Sequence, residues 1–409
     1  MPHLNSPRPL AAAGLLALLA APAAPTFAQT RFEITVLPTL GGEGSRGVGV
    51  NNSGLVCGES NRLNEGYMVA TAWLPPDYHP VYLTGSGGSV ATGNSVNDSG
   101  VIVGASDSLG NAYSASPTPP PGTPAAVIGE MAGHWGMAAC ITNLGDLCGT
   151  WSSVIQQGEH PFMIRGGVFT ELPLLQGGLQ GEADGINENG LVVGWSEQGP
   201  NGGYQRAAAW NNGVVTQLAG GDSLNAAFAV NNEGWIVGYT SDPSSAPYQA
   251  TLWTDPQHPI DLGKLIATHW QHWALAINNH RQIVGTSGEH AFLWENGRMQ
   301  DLEALIPAGA GWQLYSANGI SDTGLIVGEG LYAGHVRGFL LTPLTAAPCS
   351  PDFNHDGDVG TDADIEAFFA CLAGTCCPTC GSADFNNDGD VGTDADIESF
   401  FRVLAGGNC

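Results

Sequence analysis

From Phe32 to Leu344 the chain sets short apolar runs against polar turns on a fixed beat. The clearest copy is Ala183–Ser196, where Ile186 leads into a polar turn and Gly190 is followed by Leu191-Val192-Val193 and Gly194. That pattern predicts a tight antiparallel hairpin. Seven copies close on Gly58, Gly104, Gly149, Gly194, Gly238, Gly285 and Gly328, spaced 43 to 47 residues apart. So regular a period implies one supersecondary unit copied around or along an axis.

The turns Asn51-Asn52-Ser53-Gly54, Asn97-Asp98-Ser99-Gly100, Asn231-Asn232-Glu233-Gly234 and Ser321-Asp322-Thr323-Gly324 suit a type I turn, with glycine where the chain needs positive φ. One copy, Asn278-Asn279-His280-Arg281, has arginine in that slot, which predicts a strained or differently shaped turn. The seven polar turns could form a ring of ligands, but Asx residues dominate turns for backbone reasons, which is the preferred reading.

Each unit of about 45 residues reads as four short strands. After the hairpin comes an aromatic strand (Ala70–Leu74, Ala207–Trp210, Ala250–Trp253, His290–Trp294), then a strand ending near Leu, such as Val81–Leu83 or Val215–Leu218. Trp73, Trp210, Trp253 and Trp294 recur in register and are read as blade packing. Four strands repeated radially predict a mainly β fold, a seven-bladed β-propeller over 32–344. Phe32–Leu40 lacks a preceding aromatic strand and Gly338–Leu341 lacks a successor, so the two ends should pair and close the ring, removing two exposed edges. One unit departs from the pattern: Ser116–Pro124 is proline-rich and no Trp strand precedes Trp135, which predicts an exposed loop.

Residues 1–28 read as a signal peptide, with Arg8, an apolar run Leu10–Ala21 and small residues before Ala28. That run is shorter than a membrane span of about 20 residues, and no other stretch qualifies. The formal charge is −27, with one lysine and ten arginines. Nucleic acid and anionic membranes need basic patches, so both are excluded as partners and cations are favoured. Nine cysteines in an exported chain point to disulfides. Cys140 and Cys148 flank the turn Thr142–Asp146 symmetrically and are candidates for a cross-strand bridge. Cys57 reads as a small buried hydrophobe.

The repeats resemble the HAF family of probable extracellular repeats, through His290-Ala291-Phe292 and His160-Pro161-Phe162. That resemblance implies an exported repeat protein and carries no catalytic residues. His269-Trp270-Gln271-His272-Trp273 could bind a metal or stack on a sugar, but reads better as a loop-and-strand aromatic cluster. No nucleophile elbow, paired-histidine zinc motif or phosphate loop is present. An enzymatic site in such a fold would require carboxylates from different repeats to converge in the channel.

A linker, 345–351, leads to a second domain, 352–409. There Asp352–Glu366 and Asp384–Glu398 are nearly identical, offset by 32 residues. Oxygen ligands at alternate positions followed by Gly357 or Gly389 suit a hard cation with bonds of about 2.4 Å. Two Ca²⁺ ions are therefore expected, one on Asp352, Asn354, Asp356 and the Asp358 carbonyl, the other on Asp384, Asn386, Asp388 and Asp390. Asp362 or Asp364, and Asp394 or Asp396, would complete them, Asp364 and Asp396 being well placed at the start of each following helix. Those helices should carry Ile365, Phe368, Phe369, Leu372 and Ile397, Phe400, Phe401, Leu404 on one stripe.

The domain resembles a dockerin, the duplicated half-EF-hand module, of the type ending in Gly and Cys. Two departures are an extra loop residue, which puts Ala363 and Ala395 at nominal position 12, and Asn408 between Gly407 and Cys409. The resemblance implies a cohesin-type partner or tethering to a surface assembly. Cys349 and Cys377 bracket the first unit and Cys380 and Cys409 the second, with pairing left open. The favoured function is a secreted, non-enzymatic binding or structural protein, its propeller taking a glycan or protein. The alternative is an extracellular glycoside hydrolase or lyase with its site in the channel.

Overall fold

The computed structural model describes residues 32–83, 91–106, 111–115, 126–127, 135–152, 158–199, 203–221, 224–241, 248–344, 350–354, 356–377, 380–385 and 391–407. The expected signal peptide, the Ser116–Pro124 loop and Cys349, Asn386, Asp388, Asp390 and Cys409 lie outside them. The chain divides into two compact units, one ending at Leu344 and one running from Thr345 to Cys409.

The first unit holds seven four-stranded antiparallel sheets. Their inner strands are Gly41–Val50, Ala91–Val96, Trp135–Ile141, Gly181–Ile186, Ala226–Val230, His272–Ile277 and Trp312–Ile320. These contact one another in a closed cycle, the arrangement of a β-propeller, and so line its axis. Six sheets are regular blades. In the second, counted from the N-terminus, the outer strand among the described residues is Ala126–Val127, in the unit that departs from the repeat pattern. Closure follows the expected route: Phe32–Leu37 pairs antiparallel with His335–Pro343 as the outer strand of the seventh sheet.

Each hairpin is the expected turn. The glycine N–H donates to the carbonyl three residues back, as Gly190 to Asn187 at 2.9 Å, and the glycine φ is +79° there. Arg281 makes the same bond to Asn278 at 3.2 Å with φ +63°, so the turn is unchanged in shape and the arginine carries the strain. Its guanidinium Nε lies 2.9 Å from Glu233 and stacks over Trp235.

Every inner strand also carries a bulge that the alternating pattern did not reveal. The ladder slips at Gly47/Gly49, Gly93/Ser95, Ala138/Cys140, Ala183/Gly185, Ala227/Ala229, Ala274/Ala276 and Ala317/Gly319. The extra residue bends the strand at that point, and the first and seventh inner strands carry a second irregularity as well. The residues flanking the slip are nearly all Gly or Ala, because the closing glycine of the partner strand sits against the backbone there.

Between sheets the core is aliphatic, as in the cluster of Val193, Leu218, Val230, Ile236 and Trp253 that joins the fourth and fifth sheets. Trp73, Trp210 and Trp253 are fully buried. Their indoles donate to Pro38, Pro173 and Ala219 carbonyls, in the segments that lead into their own inner strands. They hold those segments down as well as filling space. Trp294 is half-buried and packs against the fifth–sixth cluster.

The second unit contains helices α1, Asp362–Leu372, and α2, Asp394–Leu404, offset by the same 32 residues as the sequence repeat. Its core is a set of two duplicated pairs, Phe353 with Phe385 and Phe368 with Phe400, the last two rings stacking at 4.1 Å. Phe369 and Phe401 stay half-exposed, so only part of the predicted stripe is used. Cys371 pairs with Cys376 and Cys377 with Cys380. The bracketing cysteines therefore do not define the bridges, and two partners come from outside the candidates named above.

Cys140 and Cys148 do face each other in register, yet both are free thiols. Both side chains face the fourth sheet, where Cys140 Sγ donates to the Ile186 carbonyl and Cys148 Sγ to that of Ala183. The expected bridge is thus replaced by two thiols packed against the next sheet. Cys57 is buried as expected, with its thiol pushed up to about 12 by desolvation.

Candidate functional site

The hairpin turns form one rim of the propeller, and their polar side chains are spent on each other. Asn52 N–H donates to Asp98, Asp98 to Asn143, Asn143 to Glu188, Glu188 to Asn232, Asn232 to Asn279 and Asn279 to Asp322, at 2.7 to 3.1 Å. Thr323 N–H then donates to Asn52 Oδ1 at 3.2 Å and closes the circle. A second, buried circuit runs beneath it. Asn51, Asn97, Asn187, Asn231 and Asn278 each donate a side-chain amide to the backbone carbonyl of the next turn. Thr142 and Ser321 take the other two places. These residues are clasps between sheets, so the ring-of-ligands reading gains nothing from them.

The opposite rim is different. Because the strands alternate in direction, the loops joining second to third strands, and outer strands to the next inner strand, all emerge there. Tyr67, Trp135, Tyr204 and Trp270 lie on these connections or the strand ends beside them, exposed by 38, 43, 64 and 67 %. They are the exposed large aromatics of this unit among the described residues. Further in, Phe228, Tyr239, Tyr248 and Trp273 form a half-buried cluster with ring centroids 5.1 to 6.2 Å apart.

His272 does not serve as a metal ligand. It is fully buried, with Nδ1 2.8 Å from Ser287 Oγ and Nε2 3.1 Å from the His269 carbonyl, and desolvation lowers its pKa. Both ring nitrogens are thus occupied, as the aromatic-cluster reading expects.

At two places in this unit carboxylates lie close to one another. Glu182, on the fourth inner strand, is pushed up to about 7 by burial and by a hydrogen bond with Glu159, while the Trp195 indole opposes the shift. At the junction of the seventh and first sheets, Arg46 lies 3.8 Å from Glu329. There burial raises the Glu59 pKa and Arg46 opposes it.

In the second unit the first acidic loop winds around Asp352. Its carboxylate accepts N–H bonds from Asp356 and Gly357, Asn354 Oδ1 accepts from Asp356, and Asp356 Oδ1 accepts from Asp358. Asp364 is fully buried. Burial opposes its ionisation, but hydrogen bonds from Thr361, Asn354 and Phe353 outweigh it and lower the pKa. Asp396 is likewise buried and accepts hydrogen bonds from Phe385 and Thr393. Among the described residues no three His, Cys, Asp or Glu side chains are grouped closely enough to hold a metal. The donor set is nonetheless all oxygen, which fits a hard cation. With the Asp364 oxygens committed to the loop and helix start, Asp362 is the carboxylate in that turn left to complete such a site.

No known family pattern matches the chain, and no curated protein matches it. Among solved structures it is similar to TolB from Acinetobacter baumannii, at 15% identity over 71% of this chain and 64% of TolB, with a TM-score of 0.42. The chain therefore spans less than two thirds of that relative. It is also similar to virginiamycin B lyase from Staphylococcus aureus (10% identity, 76% of this chain, all of the lyase, TM-score 0.46) and to YCF48 bound to D1 peptide (14%, 80%, 99%, 0.43).

Proposed function

We propose that this chain is an exported, non-enzymatic binding protein: a closed ring of seven HAF-like repeats that takes its ligand on the rim opposite the hairpin turns, joined to a dockerin-like calcium module that attaches it to a larger assembly. One observation carries the reading. The turn rim is satisfied by its own hydrogen bonds, while Tyr67, Trp135, Tyr204 and Trp270 project from the other. Rigid aromatics with polar neighbours suit the apolar faces of neutral sugar rings. The net charge of −27 opposes anionic glycans.

The enzymatic alternative would use Glu159 and Glu182. Glu159 is, after burial, the neighbour that raises the Glu182 pKa most, which places the two carboxyl groups close together, whereas glycoside hydrolysis needs about 5 Å or more between its pair to admit the scissile oxygen. Binding is therefore the better reading.

Retention of the full chain on immobilised neutral polysaccharides tests it. Trp270→Ala with Trp135→Ala should weaken retention at least tenfold while leaving the melting temperature within about 1 °C, since exposed side chains contribute little to stability. Equal retention by wild type and the double variant rejects this rim as the binding face.

For the second unit, Asp352, Asn354, Asp356, Asp358 and Asp362 would hold one Ca²⁺ and their counterparts 32 residues on a second. Calorimetry on the full chain should give two ions, and Asp356→Ala one. Chelator should lower the melting of this unit alone, since an ion bound only to the folded state stabilises it by mass action. Absence of calcium heat in the wild type ends the calcium assignment. A cohesin-like partner should be captured in calcium and released by chelator.

A further inference from the structure

The bulge residue of each inner strand stands beside the next inner strand. At two of the seven seams it is asparagine, and the bond it makes is the same. Asn94 Nδ2 donates to the Ala138 carbonyl at 2.9 Å, and Asn318 Nδ2 donates to the Gly47 carbonyl at 2.9 Å. In both cases the acceptor is the residue just before the next strand's bulge. Of the other five bulge residues, Val48, Ala139, Phe228 and Leu275 are apolar and can make no such bond. The remaining one is Asp184, whose equivalent acceptor is the Ala227 carbonyl.

A carboxylate in that place would set two acceptors against each other. Asp184 Oδ2 is shielded from solvent and has no hydrogen-bond donor. We propose that Asp184 holds a proton and donates it to the Ala227 carbonyl, acting as the acid counterpart of the asparagine amide at the other two seams.

The surroundings agree. The facing strand Ala226–Val230 has no titratable side chain. On its own strand Asp184 meets Glu182, and it also interacts with Cys148 of the third sheet and Tyr239 of the fifth. None of these is a cation. Burial first, and then Glu182, push its pKa well above the ordinary carboxylate range.

The consequence is a seam that responds to pH where its two asparagine counterparts do not. A group whose folded pKa is raised stabilises the fold fully below its unfolded value, about 3.9 for Asp, and loses that contribution as pH rises through the folded value. Once ionised, Asp184 repels the Ala227 carbonyl, and the contact between the fourth and fifth inner strands weakens beside Phe228 and Glu182.

Two readouts on the full chain test this. In the uniformly ¹³C,¹⁵N-labelled wild-type chain, the Asp184 carboxyl carbon, assigned through its bonds to its own Cβ and backbone, should still give a protonated shift at pH 6, where ordinary aspartates are ionised. Thermal melting is then compared in a Glu182→Gln background, because Glu182 titrates in the same window. Between pH 5 and 9 the decline in melting temperature should be smaller by about 2 °C or more once Asp184→Asn is added. The carbon reading uses the wild-type chain and stands whatever the variants do to folding. An Asp184 carbon already ionised at pH 6, or an unchanged pH slope in the asparagine variant, overturns the proposal.

Discussion

Gly194→Ala should destabilise the propeller by about 3 kcal/mol, read as a lower urea midpoint. Gly194 pairs with Ala183 immediately before the bulge, and a Cβ there would meet the Glu182 carbonyl oxygen and the Ala183 Cα. Both are backbone atoms within a paired strand, so neither can swing away as a flexible side chain would. The same contact recurs at Gly58 with Arg46, Gly149 with Met137, Gly238 with Ala226, Gly285 with Trp273 and Gly328 with Ser316. The closing glycines therefore mark a close approach of two chains, which explains why the period is carried by this residue. Gly213→Ala is the control. Its φ is +79° and a Cβ there would meet open space, so it isolates backbone strain of about 1–2 kcal/mol. A Gly194→Ala cost no larger than that of Gly213→Ala would refute the close-approach account.

This glycine also shows how far the sequence could be read. Gly194, the turn ending at Gly190 and the pairing of Phe32–Leu37 with His335–Pro343 were all legible, because each rests on local pattern or on a missing strand at either end. The bulge was not. Its trace is the small residue that precedes the slip in every inner strand, from Gly47 and Gly93 to Ala317, which a two-residue alternation overlooks. The Cys140–Cys148 expectation was correct in register, but each thiol bonds to a carbonyl of the fourth sheet and not to the other thiol. Asp184 is the extra residue of such a bulge, so its role as a seam residue was hidden for the same reason. The aromatic rim was illegible on other grounds: Tyr67, Trp135, Tyr204 and Trp270 belong to different sheets and fall on one rim only through the alternation of strand direction. In the second unit the helices and their 32-residue offset were plain. The Cys371–Cys376 and Cys377–Cys380 pairs follow contacts that spacing alone does not specify.

Asn187→Ala should cost about 2–3 kcal/mol, again as a lower urea midpoint, although the side chain removed is small and polar. Asn187 is buried and its amide works in two directions. Nδ2 donates to the Asn231 carbonyl of the next turn at 2.9 Å, while Oδ1 accepts the N–H groups of Asn189 and Leu191, both at 3.0 Å. Alanine leaves those backbone groups without the partner that holds the turn closed and breaks one link of the buried circuit. The chain itself supplies the graded comparison. Ser321 occupies the same position in the seventh hairpin, where its hydroxyl accepts the Leu325 N–H at 3.1 Å and makes no amide link to the first. Asn187→Ser should therefore recover the bond to Leu191 N–H and about half of the loss, the remainder measuring the link between sheets. If serine and alanine cost the same, the stabilising element is the amide donor alone. If serine matches wild type, the link between sheets contributes nothing, and the circuit of asparagines is a consequence of turn geometry instead of a clasp.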